Sequence, residues 1–219
     1  GDEGDQELGV RVEPDRVLAT VLFTDLKGFT SISERLDPQS LMDWLNEYME
    51  AMAQVIERCG GVINKYIGDS IMVTFGVPVA RKTEAEVSAD AADAVNCALE
   101  MGEELRRLNS VWEKRNFYTV HMRVGIFTGP LVAGCLGSEQ RMEYTVIGDT
   151  VNVASRLESF RKDDTALSAG DSPCRVLIGE STLNHIGSRF KTEKIGEVPL
   201  KGKEEKVGVY MVTGHADAL

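Results

Sequence analysis

Arg16-Val17-Leu18-Ala19-Thr20-Val21-Leu22-Phe23 is a β-rich, nearly continuous apolar run, and it leads directly into Thr24-Asp25-Leu26-Lys27-Gly28-Phe29-Thr30. A run without apolar–polar alternation reads as a strand buried on both faces. Its end near Asp25 is followed by helix signals. Ser31 with Glu34 three positions later predicts a capping box, and Asp37-Pro38 predicts the N-cap and first turn of a second helix. That helix carries Leu41, Trp44, Leu45, Tyr48, Met52, Val55 and Ile56 on one stripe at helical spacing, and Cys59-Gly60-Gly61 stops it.

Working outward, residues 62–67 and 70–75 are two β-rich runs separated by Gly68-Asp69, the pattern of a hairpin. Residues 84 to about 115 are helical by period. Residues 120–127, 131–136 and 143–147 read as strands, the first two turned at Thr128-Gly129-Pro130. Residues 150–160 predict a short helix and 161–173 a polar surface loop. Strands at 175–178 and 207–212 close the chain, with a short helix from Glu180 between them. Strands and helices alternate without internal repeats. The expected fold class is therefore a single α+β or α/β domain.

The chain has 219 residues, of which 42% are hydrophobic, enough for one large domain with a buried core. A formal charge of −11 argues against a nucleic-acid binder, which needs a basic face. The longest apolar runs fall short of the ~18 residues that span a bilayer, and no signal-peptide pattern opens the sequence. Cys59, Cys97, Cys135 and Cys174 lie far apart with no CxxC pair, so zinc and a dense disulfide framework are both disfavoured. A soluble, cytoplasmic domain is expected. The acidic stretch 1–14 reads as a linker or expression remnant, 15–214 as the domain and 215–219 as a tail.

Asp25 and Asp69 are the first chemical candidates. Each suits a turn or cap on its own, but two adjacent antiparallel strands each ending in a carboxylate can hold two Mg²⁺ or Mn²⁺ ions, the usual solution for displacement at phosphorus. The helix that opens at Phe29-Thr30 offers its N-terminus to phosphate oxygens. Asn152 and Arg156, four apart in Gly148-Asp149-Thr150-Val151-Asn152-Val153-Ala154-Ser155-Arg156, share one helix face, an amide beside a guanidinium suited to ribose and phosphate.

Four strings occur in order: 23–30 (FTDLKGFT), 65–69 (KYIGD), 122–129 (MRVGIFTG) and 148–156 (GDTVNVASR). Together they resemble the catalytic domain of the class III nucleotidyl cyclases, from about Arg16 to Val212. Phe127 stands where many relatives carry His. The resemblance implies an α+β fold, an α/β sandwich whose mixed, mainly antiparallel sheet has a palm-like βαββαβ core flanked by helices. It also implies two Mg²⁺ (or Mn²⁺) ions per site, held by Asp25, Asp69 and the backbone carbonyl of Leu26. It implies that Phe29, Thr30 and Arg123 hold the β- and γ-phosphates, and that Asn152 and Arg156 orient the ribose and stabilise the transition state. Lys201, in the shorter motif Val198-Pro199-Leu200-Lys201-Gly202, matches a phosphate-contacting lysine.

Two family positions select the base, and here they hold Lys65 and Thr145. A lysine ammonium donates to adenine N1 but meets an N–H donor at the same atom of guanine. The mispaired donor costs about 1–3 kcal/mol, roughly a tenfold to hundredfold preference for ATP. The implied activity is conversion of ATP to 3′,5′-cyclic AMP and pyrophosphate. Among bacterial relatives, Thr at the second position is also associated with stimulation by bicarbonate. Lys65 and Asp69 are four residues apart in extended chain, about 13 Å at ~3.3 Å per residue, too far to line one compact site. In the family they serve two sites at a homodimer interface: Asp25, Asp69 and Arg123 from one protomer face Lys65, Thr145, Asn152, Arg156 and Lys201 from its partner. Fusion to a regulatory sensor domain is the usual setting. The alternatives are a guanylyl or dual-specificity cyclase and a silent nucleotide-binding domain. A diguanylate cyclase would need a GG[DE]EF-like hairpin, which Tyr66-Ile67-Gly68-Asp69-Ser70 is not.

Overall fold

The computed structural model describes residues 14–167, 170–200 and 204–217. Its centre is β1 (Asp15–Lys27), which pairs antiparallel with β3 (Ser70–Phe75) on one side and, along its whole length, with β4 (His121–Ser138) on the other. The strand thus continues four residues past the apolar run that ends at Phe23, and Asp25 and Leu26 lie within it. β2 (Val62–Ile67) completes the hairpin with β3 across Gly68-Asp69. β5 (Arg141–Ile147), β6 (Cys174–Gly179), β7 (Phe190–Pro199) and β8 (Lys206–His215) complete one sheet in the order β2-β3-β1-β4-β6-β8-β7, with β5 paired to the far end of β4. Among the described strands only β4 and β6 run parallel.

The helices are α1 (Phe29–Arg35), α2 (Pro38–Arg58), α3 (Glu84–Lys114), α4 (Asp149–Ser159) and α5 (Glu180–Ile186). Strand alternation sorts them into layers. Leu22 and Leu26 of β1, Met122, Val124 and Ile126 of β4, and Val176 and Ile178 of β6 face a core built with α2 and α3. The odd-numbered positions Val17, Ala19 and Val21 face the other way, where Ala154 of α4 covers them. α2 is capped by Asp37, whose carboxylate accepts from the Ser40 N–H at 2.9 Å. Among the described residues no helix is long and apolar enough to cross a membrane.

Three expectations are corrected. Thr128-Gly129-Pro130 is no turn, because β4 is continuous there and paired with β1 opposite Thr20, Ala19 and Leu18. The Thr128 hydroxyl bonds that of Thr20 at 2.8 Å. Pro130 is tolerated because it falls between the β4 residues paired to β6, which end at Ile126, and those paired to β5, which begin at Val132. Second, no capping box forms at Ser31: α1 starts two residues earlier, after Gly28 in the left-handed region (φ 77°), with no side-chain cap. Third, β7 was not anticipated. Its sequence Phe190-Lys191-Thr192-Glu193-Lys194-Ile195-Gly196-Glu197 is charged and exposed because it is a sheet edge. Inside the expected loop, Thr165–Leu167 forms one 3₁₀ turn.

Candidate active site

Asp25, Asp69 and Arg123 converge at one end of the sheet. Asp25 and Arg123 are direct cross-strand partners, and the Arg123 fork closes on the carboxylate through Nε and Nη2 at 2.8 and 2.9 Å. Arg123 Nη1 donates to the Lys162 carbonyl at 3.0 Å. Asp69 sits at the hairpin tip, its Oδ2 accepting from the Leu26 N–H at 2.8 Å, which ties the tip to the residue next to Asp25. Burial raises the Asp69 carboxyl above its ordinary value, and the nearby charge of Asp25 adds to this, while the Leu26 N–H and Arg123 oppose it. Two carboxylates in mutual electrostatic reach are relieved by a divalent cation between them. Among the described residues no cluster of three or more His, Cys, Asp or Glu forms a closed metal site. A two-carboxylate set fits Mg²⁺, which keeps water and substrate phosphate as its remaining ligands. Phe29 and Thr30 open α1 directly behind this end of β1.

The other expected residues lie elsewhere. Asn152 and Arg156 project from the exposed side of α4, opposite its buried face of Val153, Ala154, Leu157 and Glu158. Arg156 donates to the Pro199 carbonyl at 2.8 Å and lies 3.8 Å from Asp149. Lys65 is exposed on β2, and Thr145 is partly buried on β5, paired with Gly134. Lys201 lies outside the described residues. The Thr150 hydroxyl anchors the start of α4 on the Pro130 carbonyl at 2.7 Å, seven strand residues and so roughly 23 Å from Arg123, and α4 runs back along β4 from there with Asn152 and Arg156 on its side away from the sheet.

Two residues at the site were missed. Arg175 is the β6 partner of Arg123 in the parallel register, and Glu158 of α4 lies over the same row. Both are buried. The signal was present: Glu158 follows Val153, Ala154 and Leu157 at helical spacing, and Arg175 interrupts the apolar run 174–178. Burial drives the Glu158 carboxyl from 4.5 up to about 9, aided by the Asp25 carboxylate beside it, against the pull of Arg123 and Arg175. A folded-state value above the unfolded one contributes stability that is complete below about 4.5 and is lost as pH rises through about 9. In chelator, urea melts should therefore show wild type losing stability relative to Glu158→Gln from pH 5 to 8, by at most about 1.4 kcal/mol per pH unit. Parallel curves would place Glu158 in a solvated setting instead.

The chain matches the adenylate and guanylate cyclase catalytic domain over residues 13–214. It is 34% identical over 195 residues to adenylate cyclase 1 of Rhizobium meliloti, covering 89% of this chain and 27% of that protein. It is also 34% identical to an adenylate cyclase of Anabaena cylindrica, covering 88% and 36%. It thus spans about a quarter to a third of the length of these relatives. Among solved structures, the adenylyl cyclase CyaB from P. aeruginosa superposes with a TM-score of 0.79 at 33% identity, over 94% of this chain and 97% of that one. The guanylyl cyclase Cya2 does so with 0.79 at 35%, over 93% and 95%. The strand-end carboxylates, the paired arginine and the α4 amide–guanidinium face are therefore set in a known frame, and the chain belongs to the adenylate and guanylate cyclase catalytic domain family.

Proposed function

We propose that this chain is an adenylyl cyclase domain that converts ATP to 3′,5′-cyclic AMP and pyrophosphate at sites shared between two copies of itself. The observation that carries this is the split of the site: Asp25, Asp69 and Arg123 gather at one sheet end, while Asn152 and Arg156 lie on the side of α4 turned away from the sheet. A two-fold head-to-tail dimer gives two equivalent sites, since each chain supplies both halves.

Asp25 and Asp69 would hold two Mg²⁺ or Mn²⁺ ions, with the Leu26 carbonyl beside them. When bound, the ions supply Lewis acidity toward the ribose 3′-oxygen and the phosphates. Arg123 binds the β- and γ-phosphates with the first turn of α1, and Lys201 joins it from the other chain. Asn152 orients the ribose. Arg156 stabilises charge that develops on the α-phosphate as the 3′-oxygen attacks in line and pyrophosphate departs. Lys65 donates to adenine N1, with Thr145 beside the base. The same reading makes the domain the catalytic part of a longer, sensor-controlled cytoplasmic protein and includes stimulation by bicarbonate at constant pH through Thr145.

A guanylyl reading has one specific support, the 35% identity to the guanylyl cyclase Cya2. The test is cyclic nucleotide formation from ATP and from GTP, each with Mg²⁺ or Mn²⁺. At least a tenfold preference for ATP is expected, and Lys65→Glu should reduce that preference by a tenfold to hundredfold factor. Excess cyclic GMP from the wild type would overturn the base assignment. No product from either nucleotide, in folded dimeric protein, would leave a binding-only domain.

A further inference from the structure

Asp25, Arg123 and Arg175 form a row across three adjacent strands, β1, β4 and β6. Two guanidiniums side by side in a buried row repel, and only Arg123 has a carboxylate closed on it. Arg175 is held by carbonyls, Nη1 on Arg161 at 3.2 Å and Nη2 on Glu158 at 2.9 Å, and its Nε has no partner among the described residues. Glu158 lies over the row because α4 rests directly on Gly125, where a Cβ would overlap the Glu158 nitrogen and the Ala154 carbonyl. Gly125 is two residues along β4 from Arg123 and therefore on its face. The Glu158 Oε1 is buried and likewise has no partner among the described residues.

These orphaned atoms matter once the site is used. With Nε and Nη2 on Asp25 and Nη1 on the Lys162 carbonyl, Arg123 is committed. An Asp25 that ligates cations and an Arg123 that reaches phosphate must loosen their mutual grip, and buried N–H groups left without acceptors are costly. We propose that Glu158 is the positioning residue for that exchange: its free Oε1 accepts the Arg123 N–H that Asp25 gives up, keeping the guanidinium set toward the phosphates. The inference rests on the reading of Asp25 as a cation ligand and Arg123 as a phosphate ligand. It requires an acceptor oxygen at residue 158, which an acid, a carboxylate or an amide supplies equally.

The test is calorimetric binding of 3′-deoxy-ATP with Mg²⁺, which cannot cyclise to the 3′,5′ product, by the full 219-residue chain. Glu158→Gln should bind within about twofold of wild type. Glu158→Met, which fills the space without an acceptor, should bind roughly tenfold more weakly at an unchanged thermal midpoint, with Glu158→Leu as the second apolar variant should Met not fold. In an Arg123→Ala background the change at 158 should have no further effect, because Glu158 acts through Arg123. Wild-type affinity in the apolar variant, loss in Gln equal to that in Met, or the same loss with and without Arg123 would each overturn the proposal. If Arg123→Ala alone binds as wild type, the phosphate reading of Arg123 falls, and the role of Glu158 falls with it.

Discussion

Mixing an Asp69→Ala chain with an Asn152→Ala chain is expected to restore cyclase activity that neither chain has alone. Asp69 belongs to the set tied to Asp25 and Arg123 through the Leu26 N–H. Asn152 belongs to the exposed face of α4, two residues from the anchor of that helix on Pro130. A catalytic centre that uses both must draw them from different chains. Each single substitution should lower turnover at least about 100-fold, the scale of losing one preorganised polar group at a developing charge. Random reassociation puts half the chains' dimers in the mixed form, and each mixed dimer carries one intact and one doubly damaged site. Recovery should therefore approach about a quarter of the wild-type rate. The assay is cyclic AMP formation after the two purified chains are mixed, diluted and reconcentrated. A rate no higher than the sum of the separate mutants would remove the shared site from consideration.

The parts of this domain that could be read from the sequence are those where one local rule acts alone. The apolar run at 16–23 reads as a strand buried on both faces, the α2 stripe as facing a core and Gly68-Asp69 as a turn. The stripe and the turn hold, and the strand is buried on both faces from Ala19 to Leu22, with Arg16 and Leu18 exposed near its start. Misreadings occurred where tertiary pairing overrode a local signal. Thr128-Gly129-Pro130 carries turn residues, yet pairing with β1 keeps it extended, and the proline lies where β4 has no second partner. β7 reads as a polar loop because an edge strand needs no apolar face of its own.

At the site the same division holds. Asp25, Asp69 and Arg123 were legible as ordered motifs, and the structure gives them their contacts. Glu158 and Arg175 were overlooked because a charged residue in an apolar pattern is normally discounted. Here the anomaly marks a buried row in which an acid, Glu158, lies beside the two guanidiniums of Arg123 and Arg175.

Gly125→Ala should damage both the fold and the activity of the domain. The added carbon would overlap backbone atoms, the Glu158 nitrogen and the Ala154 carbonyl, which cannot swing aside as a side-chain tip can. α4 must lift from β4. Overpacking of this kind costs about 1–3 kcal/mol, and more where backbone has to shift, which for a domain of this size lowers the thermal midpoint by roughly 2–12 °C. The loss of activity should exceed that of stability. In the shared-site dimer proposed above, α4 carries Asn152 and Arg156 outward to one site and Glu158 inward to the other, so a single displacement would disturb both sites. A misplacement near 1 Å can cost about 100-fold in rate. Turnover and urea midpoint measured on the same preparation decide the matter. A Gly125→Ala chain with wild-type values for both would mean that α4 does not rest on β4 as described. A lowered midpoint with full turnover at a permissive temperature would mean instead that its seating serves the fold alone.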